Sequence, residues 1–400
     1  MNKFLKKSSF IPVFLLLSVL NVSGQNSNLL GQINTITTAV PFLLISPDAR
    51  AGGMGDLGVS STADVNSIHW NPAKLAFAEN KMAFGLSYTP WLRNLVNDMF
   101  ISYLSFYTKL KGEQAIGASL RYFSLGNITF TDQNGNTIRD FKPNEFAFDV
   151  AYSRKLSEYF SGGIALRFVH SNLTGGTQVE GQDSKAGNTA AADVSVFFQK
   201  EIEVGGKDAI FTSGLNISNI GAKISYTESG VKNFIPTNLR IGPGLRLKLN
   251  EYNDLGFMLD FNKLLVPTPP IYTQDTANSA DDIILYGQDP DVSVAQGIFQ
   301  SFNDAPDGGK EELREVNIAF GMEYWYDKQF AFRAGYFNEN KFKGNRKYFT
   351  LGAGLRYNVF GIDLAYLIPT DQRNPLENTL HFTITFDFNG DKATKEESGE

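Results

Sequence analysis

Residues Gly53-Met54-Gly55-Asp56-Leu57-Gly58 spell GxGxxG, a spacing that lets a backbone approach a dinucleotide pyrophosphate. That chemistry requires the motif to sit between a strand and a helix of a βαβ unit. The chain downstream reads as antiparallel strands, so these glycines are read as turn formers. Asp132, Asn134 and Asn136 are similar to the start of a calcium loop. However, position six is Thr137 and position twelve is Pro143, where that loop needs Gly and Glu. Asn134-Gly135 is read as a turn at a loop tip. Asp281-Asp282 and Asp289-Pro290-Asp291 fall in one long connection and read as solvated acids. The three histidines, His69, His170 and His381, are too scattered for a metal site. There is no cysteine, which removes thiolate ligands, a Cys nucleophile and disulfides. No serine has a nucleophile-elbow context. A hydrolase site would need a Ser or Asp within hydrogen-bond reach of His170 or His381. No enzyme activity, cofactor or metal is expected.

The remaining charged residues of interest recur inside alternating segments: Arg121, Asp149, Arg167, Asp193, Arg240, Arg246, Asp260, Glu323, Arg333, Arg356 and Asp363. From Lys81 onward apolar residues repeat with period two. Leu380, Phe382, Ile384, Phe386 and Phe388 alternate with His381, Thr383, Thr385 and Asp387. In a strand such sets point to opposite faces. Fourteen segments have this form, near 81–88, 98–109, 114–126, 143–155, 159–171, 188–201, 208–218, 235–249, 254–263, 313–326, 329–338, 346–357, 359–368 and 378–388. Most match the roughly 9–11 residues that cross a bilayer at a tilt.

Connections after even-numbered segments are mostly short (110–113, 155–158, 250–253, 327–328). Those after odd-numbered ones are mostly long (127–142, 172–187, 219–234, 264–312). Short turns at one end and long loops at the other are the pattern of a membrane barrel, and a sandwich has no physical reason to keep it. The expected fold is therefore an all-β membrane barrel of about fourteen antiparallel strands, covering 81–388. Its apolar faces point to lipid and its charged set points inward. Mixed signs predict pairing among these charges rather than an ion-selective ring. With the N-terminus on the periplasmic side, the long loops would face the cell exterior.

Composition agrees. Phe (33), Tyr (16) and Gly (37) are abundant, and no run of 18 apolar residues exists, so any membrane crossing must use strands. Lys3, Lys6 and Lys7, an apolar run over 10–20 and Val22-Ser23-Gly24 predict a signal peptide at 1–24. Its removal would change the net charge from −6 to −9, a poor balance for binding nucleic acid. Residues 25–80 lack the alternation and carry Pro47, Gly52, Gly53, Gly55, Gly58 and Pro72. They predict a compact plug of short helices and turns, with a helix within Asp64 to Leu75. The acidic end, 389–400, reads as a disordered tail.

The plug also carries a family resemblance. Ala39-Val-Pro-Phe-Leu-Leu-Ile-Ser-Pro-Asp-Ala-Arg-Ala-Gly-Gly-Met-Gly-Asp-Leu-Gly-Val and Ile68-His-Trp-Asn-Pro-Ala-Lys-Leu-Ala-Phe together resemble the PorV family of the type IX secretion system of Bacteroidetes-type bacteria. The Asn71-Pro72-Ala73-Lys74-Leu75-Ala76 piece is similar to the hatch of FadL-type transporters, which marks Gly52, Gly53, Gly55, Trp70, Asn71, Pro72 and Ala73 as the hatch set. The resemblance implies a bacterial outer-membrane role in protein export. Such a protein binds cargo through a C-terminal signal domain as it leaves a SprA/Sov-like translocon. It then passes the cargo to a surface attachment complex containing the sortase PorU. The alternative is a FadL-like transporter of hydrophobic small molecules, which needs an apolar lumen and a hatch that opens.

Overall fold

The computed structural model describes residues 33–389, except 97, 132–133, 177–182, 228–229, 231, 274–282 and 373. The expected signal segment, Asp132, Asp281, Asp282 and all of the acidic tail beyond Asn389 lie outside the described residues.

Fourteen antiparallel strands close a barrel. In chain order they are β1 (Met82–Pro90), β2 (Met99–Leu110), β3 (Gln114–Leu125), β6 (Asn144–Lys155), β7 (Phe160–Asn172), β8 (Gly187–Val204), β9 (Lys207–Gly221), β10 (Asn238–Lys248), β11 (Asn253–Leu264), β14 (Asn317–Tyr326), β15 (Phe330–Asn338), β16 (Lys347–Tyr357), β17 (Phe360–Pro369) and β18 (Leu380–Phe388). The numbers between belong to two short hairpins in the long loops, β4 (Ile128–Thr131) with β5 (Thr137–Phe141), and β12 (Ile271–Tyr272) with β13 (Ile284–Tyr286). The wall closes where β1 pairs with β18, from Met82 opposite Phe388 to Tyr88 opposite Phe382.

The alternation explains the wall. Phe382, Ile384 and Phe386 are exposed, whereas His381, Thr383 and Thr385 are buried inside. On the outer face, aromatic residues of adjacent strands pack ring against ring: Phe84 with Phe106 at 4.6 Å and Tyr336 with Phe349 at 4.8 Å between centroids. Such cross-strand pairs each contribute about 0.2–1 kcal/mol. Leu351 stands on this face, 54% exposed. Leu351→Arg is expected to destabilise the barrel in bilayers by about 2–4 kcal/mol. Urea titration in lipid vesicles measures this, and the loss should shrink in detergent micelles.

One strand start needs correction. The strand expected from 313 begins at Asn317, because Gly309–Arg314 forms a short helix, whose Glu311 and Glu312 pair with lysines of the barrel rim. The short helix expected within Asp64 to Leu75 is α2 (Ser67–Trp70), and Pro72 opens a second, 3-10 piece (Pro72–Phe77). Asn71 between them is extended (φ −166°, ψ 96°), since Pro72 disfavours helical geometry at the residue before it.

Residues 40–80 run inside the barrel, with a 3-10 turn at Pro41–Leu44 and helix α1 at Ala49–Gly52. The direction of this inner segment is a further correction. Asn34 donates from its backbone to Phe342 and from its side chain to Pro269, and Ala39 donates to Phe234. All three acceptors lie in connections at the long-loop end. The first described residues therefore sit at the long-loop end, not at the end assigned to the N-terminus from the sequence. β1 starts at the short-turn end because the inner segment has by then run the length of the lumen.

Candidate functional site

The inner segment is held first by its own polar groups. Asp48 caps α1 by accepting from Ala51 N (2.9 Å), and accepts from Trp70 Nε1 (2.7 Å), tying α1 to α2. Lys74 is fully buried and donates to Gly58 O (2.8 Å) and Ser61 Oγ (2.9 Å). Asn71 donates to Val59 O and Val196 O and accepts from Ala73 N, satisfying the backbone groups freed where the helix breaks.

The wall then supplies partners, and the charged set falls into three groups. Glu323, Arg333, Arg356 and Asp363 form one chain. Glu323 takes Arg50 of the inner segment on both oxygens (2.9 and 2.8 Å) and Arg333 (2.8 Å). Arg333 reaches Asp363 (2.8 Å), which also accepts from Arg356 (2.6 Å). Arg50 continues the chain inward to Asp64 (2.9 Å). A second chain joins Arg167 to Asp149 (2.5 Å) and Asp193 (3.1 Å). In the third group each residue grips the inner segment singly. Arg121 donates to Phe42 O (3.2 Å) and Leu43 O (2.9 Å) and contacts His69. Arg240 lies over Trp70 (4.6 Å), and Asp260 accepts from Gly58 N (2.9 Å) and Val59 N (3.1 Å). Arg246 joins none of these and pairs with Asp254 (2.6 Å) near the short turns.

The glycines let backbones touch. Gly53 lies against Gly352, and Gly52 against the His381 ring. Gly55, at φ +79°, lies against the Tyr336 backbone and donates to Thr350 Oγ1 (2.8 Å). A Cβ on Gly335 would collide with the backbone of Met54 and Gly55. Ala73 donates to Ser195 Oγ (3.0 Å), its carbonyl accepts from Ser161 Oγ (2.6 Å), and Pro72 packs beside Gly163. Through these and similar contacts the inner segment meets all fourteen wall strands. Sequence reasoning missed Asp48, Arg50, Asp64 and Gly335. The signal available was the unexplained charge pair Asp48/Arg50 inside a glycine-rich stretch.

Among the described residues His381 bonds Thr89 (3.0 Å) and His170 bonds Asn188 (2.8 Å). Among the described residues no group of three or more His, Asp or Glu is placed to hold a metal. The GxGxxG stretch follows α1 and is packed against the wall rather than placed between a strand and a helix.

The two ends of the lumen differ. Toward the long loops, Val40, Phe42 and Leu43 join Ile101, Phe123, Val169, Ile224 and Ile235 in an apolar seal. Toward the short turns lies a polar vestibule of about 910 Å³, lined by Asp64, Glu79, Tyr107, Arg246, Asp254 and Arg356 among others. The long 264–316 connection is fastened to the rim. Lys263 binds Glu312 (3.0 Å) and Glu315 (2.5 Å), and Lys343 binds Glu311 (2.5 Å) and Glu315 (2.9 Å). Asp304 accepts from Thr268 N (3.1 Å) in the same cluster.

Burial, more than the nearby Glu312 and Glu315, pushes the Asp304 carboxyl up to about 7. A raised folded-state pKa means the docked loop holds a proton that the released loop gives up. Docking is therefore weakened as pH rises from about 4 to about 7. Limited proteolysis of this loop is expected to be slower at pH 5 than at pH 8. Asp304→Asn should reduce the difference, although Glu312, also raised by burial, keeps part of it.

A family model described as "Type IX secretion system protein PorV" matches residues 28–271, more than half of the chain. No curated protein matches. Among solved structures, the Pseudomonas putida toluene transporter TodX is 12% identical. It covers 87% of this chain and 100% of its own, with a TM-score of 0.48. The Ralstonia pickettii toluene transporter TbuX is 11% identical over 87% and 100%, also at 0.48. A Pseudomonas aeruginosa FadL homologue is 11% identical over 89% and 99%, at 0.43.

Proposed function

The chain belongs to the PorV family of type IX secretion system proteins, and from that premise we propose that it receives exported proteins by their C-terminal signal domain and carries them to the surface attachment complex. Family and barrel make it an outer-membrane component of that system. In the proposed orientation the long loops face the cell exterior and hold the cargo. The partners are then the SprA/Sov-like translocon on one side and the PorU-containing attachment complex on the other.

One observation carries the reading of a carrier over a channel: the inner segment is fixed to every wall strand, at β14 by the buried Arg50–Glu323 ion pair. As a hatch it would have to break this pair to open. Leaving one partner of a buried pair uncompensated costs about 3–5 kcal/mol. A FadL-like route for hydrophobic small molecules also needs an apolar path. Here the lumen is charged around Glu323 and Arg167, and the vestibule is polar.

Deleting the gene tests the proposal. Cargo bearing the signal domain is expected to accumulate in the periplasm, and normal surface display in the deletion strain would overturn it.

A further inference from the structure

Residues 33–39 lie at the long-loop end, pinned at both ends but not between. Asn34 is fixed by Phe342 O (3.0 Å), Pro269 O (3.1 Å) and Glu311 Oε1 (3.0 Å), and Ala39 by Phe234 O (2.9 Å). Among the described residues, the backbone N–H and C=O groups of Thr35, Ile36, Thr37 and Thr38 have no partner. None of these residues has a positive φ, and exposure alternates: Ile33, Thr35 and Thr37 are exposed, while Asn34, Ile36 and Thr38 are half-buried. The period-two exposure is that of an extended segment, and its backbone groups have no neighbour among the described residues. The β-branched run Thr-Ile-Thr-Thr suits a pleated conformation.

We propose that residues 34–38 are an open strand edge to which a β-strand of the exported protein's signal domain adds. This rests on the carrier reading above and names the element that grips the cargo. The chemistry that recognises the edge is an extended main chain. An added strand gains backbone hydrogen bonds, and its alternate side chains find their own contacts. The edge is held open by anchors at both ends, so less ordering entropy is lost on binding. Ile33, 78% exposed, offers an apolar contact beside the edge.

The test uses the full chain in nanodiscs and a purified C-terminal signal domain from a protein exported by the same cell. Adjacent N–H groups of a strand point to opposite edges, so one of Ile36→Pro and Thr37→Pro removes a donor facing the incoming strand. That variant is expected to weaken binding about tenfold. Thr37→Ala, which keeps the backbone, should change it less than about twofold. Gel mobility before and after heating shows whether each variant is folded. In the wild-type protein, hydrogen exchange at Thr35 to Thr38 should slow when the domain binds. Wild-type affinity in both proline variants, or unchanged exchange at these amides in the complex, overturns the inference alone. Failure of the wild-type chain to bind the signal domain overturns the carrier reading with it.

Discussion

Glu323→Leu is expected to cost the folded barrel about 3–5 kcal/mol, because it leaves Arg50 and Arg333 buried without their shared carboxylate. Glu323 is 4% exposed, and both arginines are buried beside it. Arg333 is 3% exposed, and Arg50, at the edge of the vestibule, is 6% exposed. Asp64 and Asp363 still hold one side of each guanidinium, which keeps the loss within that range. The temperature at which the heat-resistant folded band disappears on a gel should fall well below that of the wild-type protein. A useful contrast is Asp291→Ala. Its side chain, paired with Lys223, is 91% exposed, so the change should cost no more than about 1 kcal/mol. Equal shifts for the two variants would contradict the role given to the buried chain.

Gly335→Val acts on the same interface by shape. The new side chain would occupy the space of the Met54 and Gly55 backbone, and backbone has no flexible end to yield. Forcing extra carbon atoms into well-packed surroundings costs about 1–3 kcal/mol even where side chains can adjust. The inner segment is therefore expected to leave its seat while the wall, whose own ladder does not use that face, stays closed. Planar-bilayer recording checks this. The variant should show stepwise conductance that the wild-type protein lacks, and a silent variant with native heat stability would refute the close packing.

The wall was almost fully legible in the sequence, since each strand has one face in lipid and one in a packed interior. That asymmetry writes a period of two over ten residues or more, as in Leu380 to Phe388. The inner segment was legible in kind but not in detail. Its short helices are positioned by single contacts, such as Asp48 on Trp70 and Asp260 on Gly58, that connect residues far apart in the chain. No local period records these. The pairing of Arg50 with Glu323 spans 273 positions and was equally invisible. The strand starts later than 313 because Leu313 is out of phase with the even-numbered apolar set Val316, Ile318 and Phe320 and lies in the helix held by Glu311 and Glu312. The N-terminal direction was lost for another reason. Strand parity reports where β1 begins, not where the segment before it has been.

Whether the lumen must open for export is the central question, and a cross-link answers it directly. The native chain has no cysteine, so Gly53→Cys with Ala365→Cys introduces a single disulfide. A Cβ on Gly53 would lie 3.5 Å from Ala365 Cβ, within disulfide range. Gly53 has φ −72°, which any residue adopts, but the new Cβ meets Gly352 Cα at 3.0 Å, so the backbones must part by a few tenths of an ångström and the reduced protein is the control for that shift. Surface display of signal-domain cargo is then measured in cells carrying the oxidised and the reduced protein. A carrier that works through its loops predicts equal display in both. Display abolished on oxidation and restored by a reductant would show that the inner segment must move, and would contradict the account.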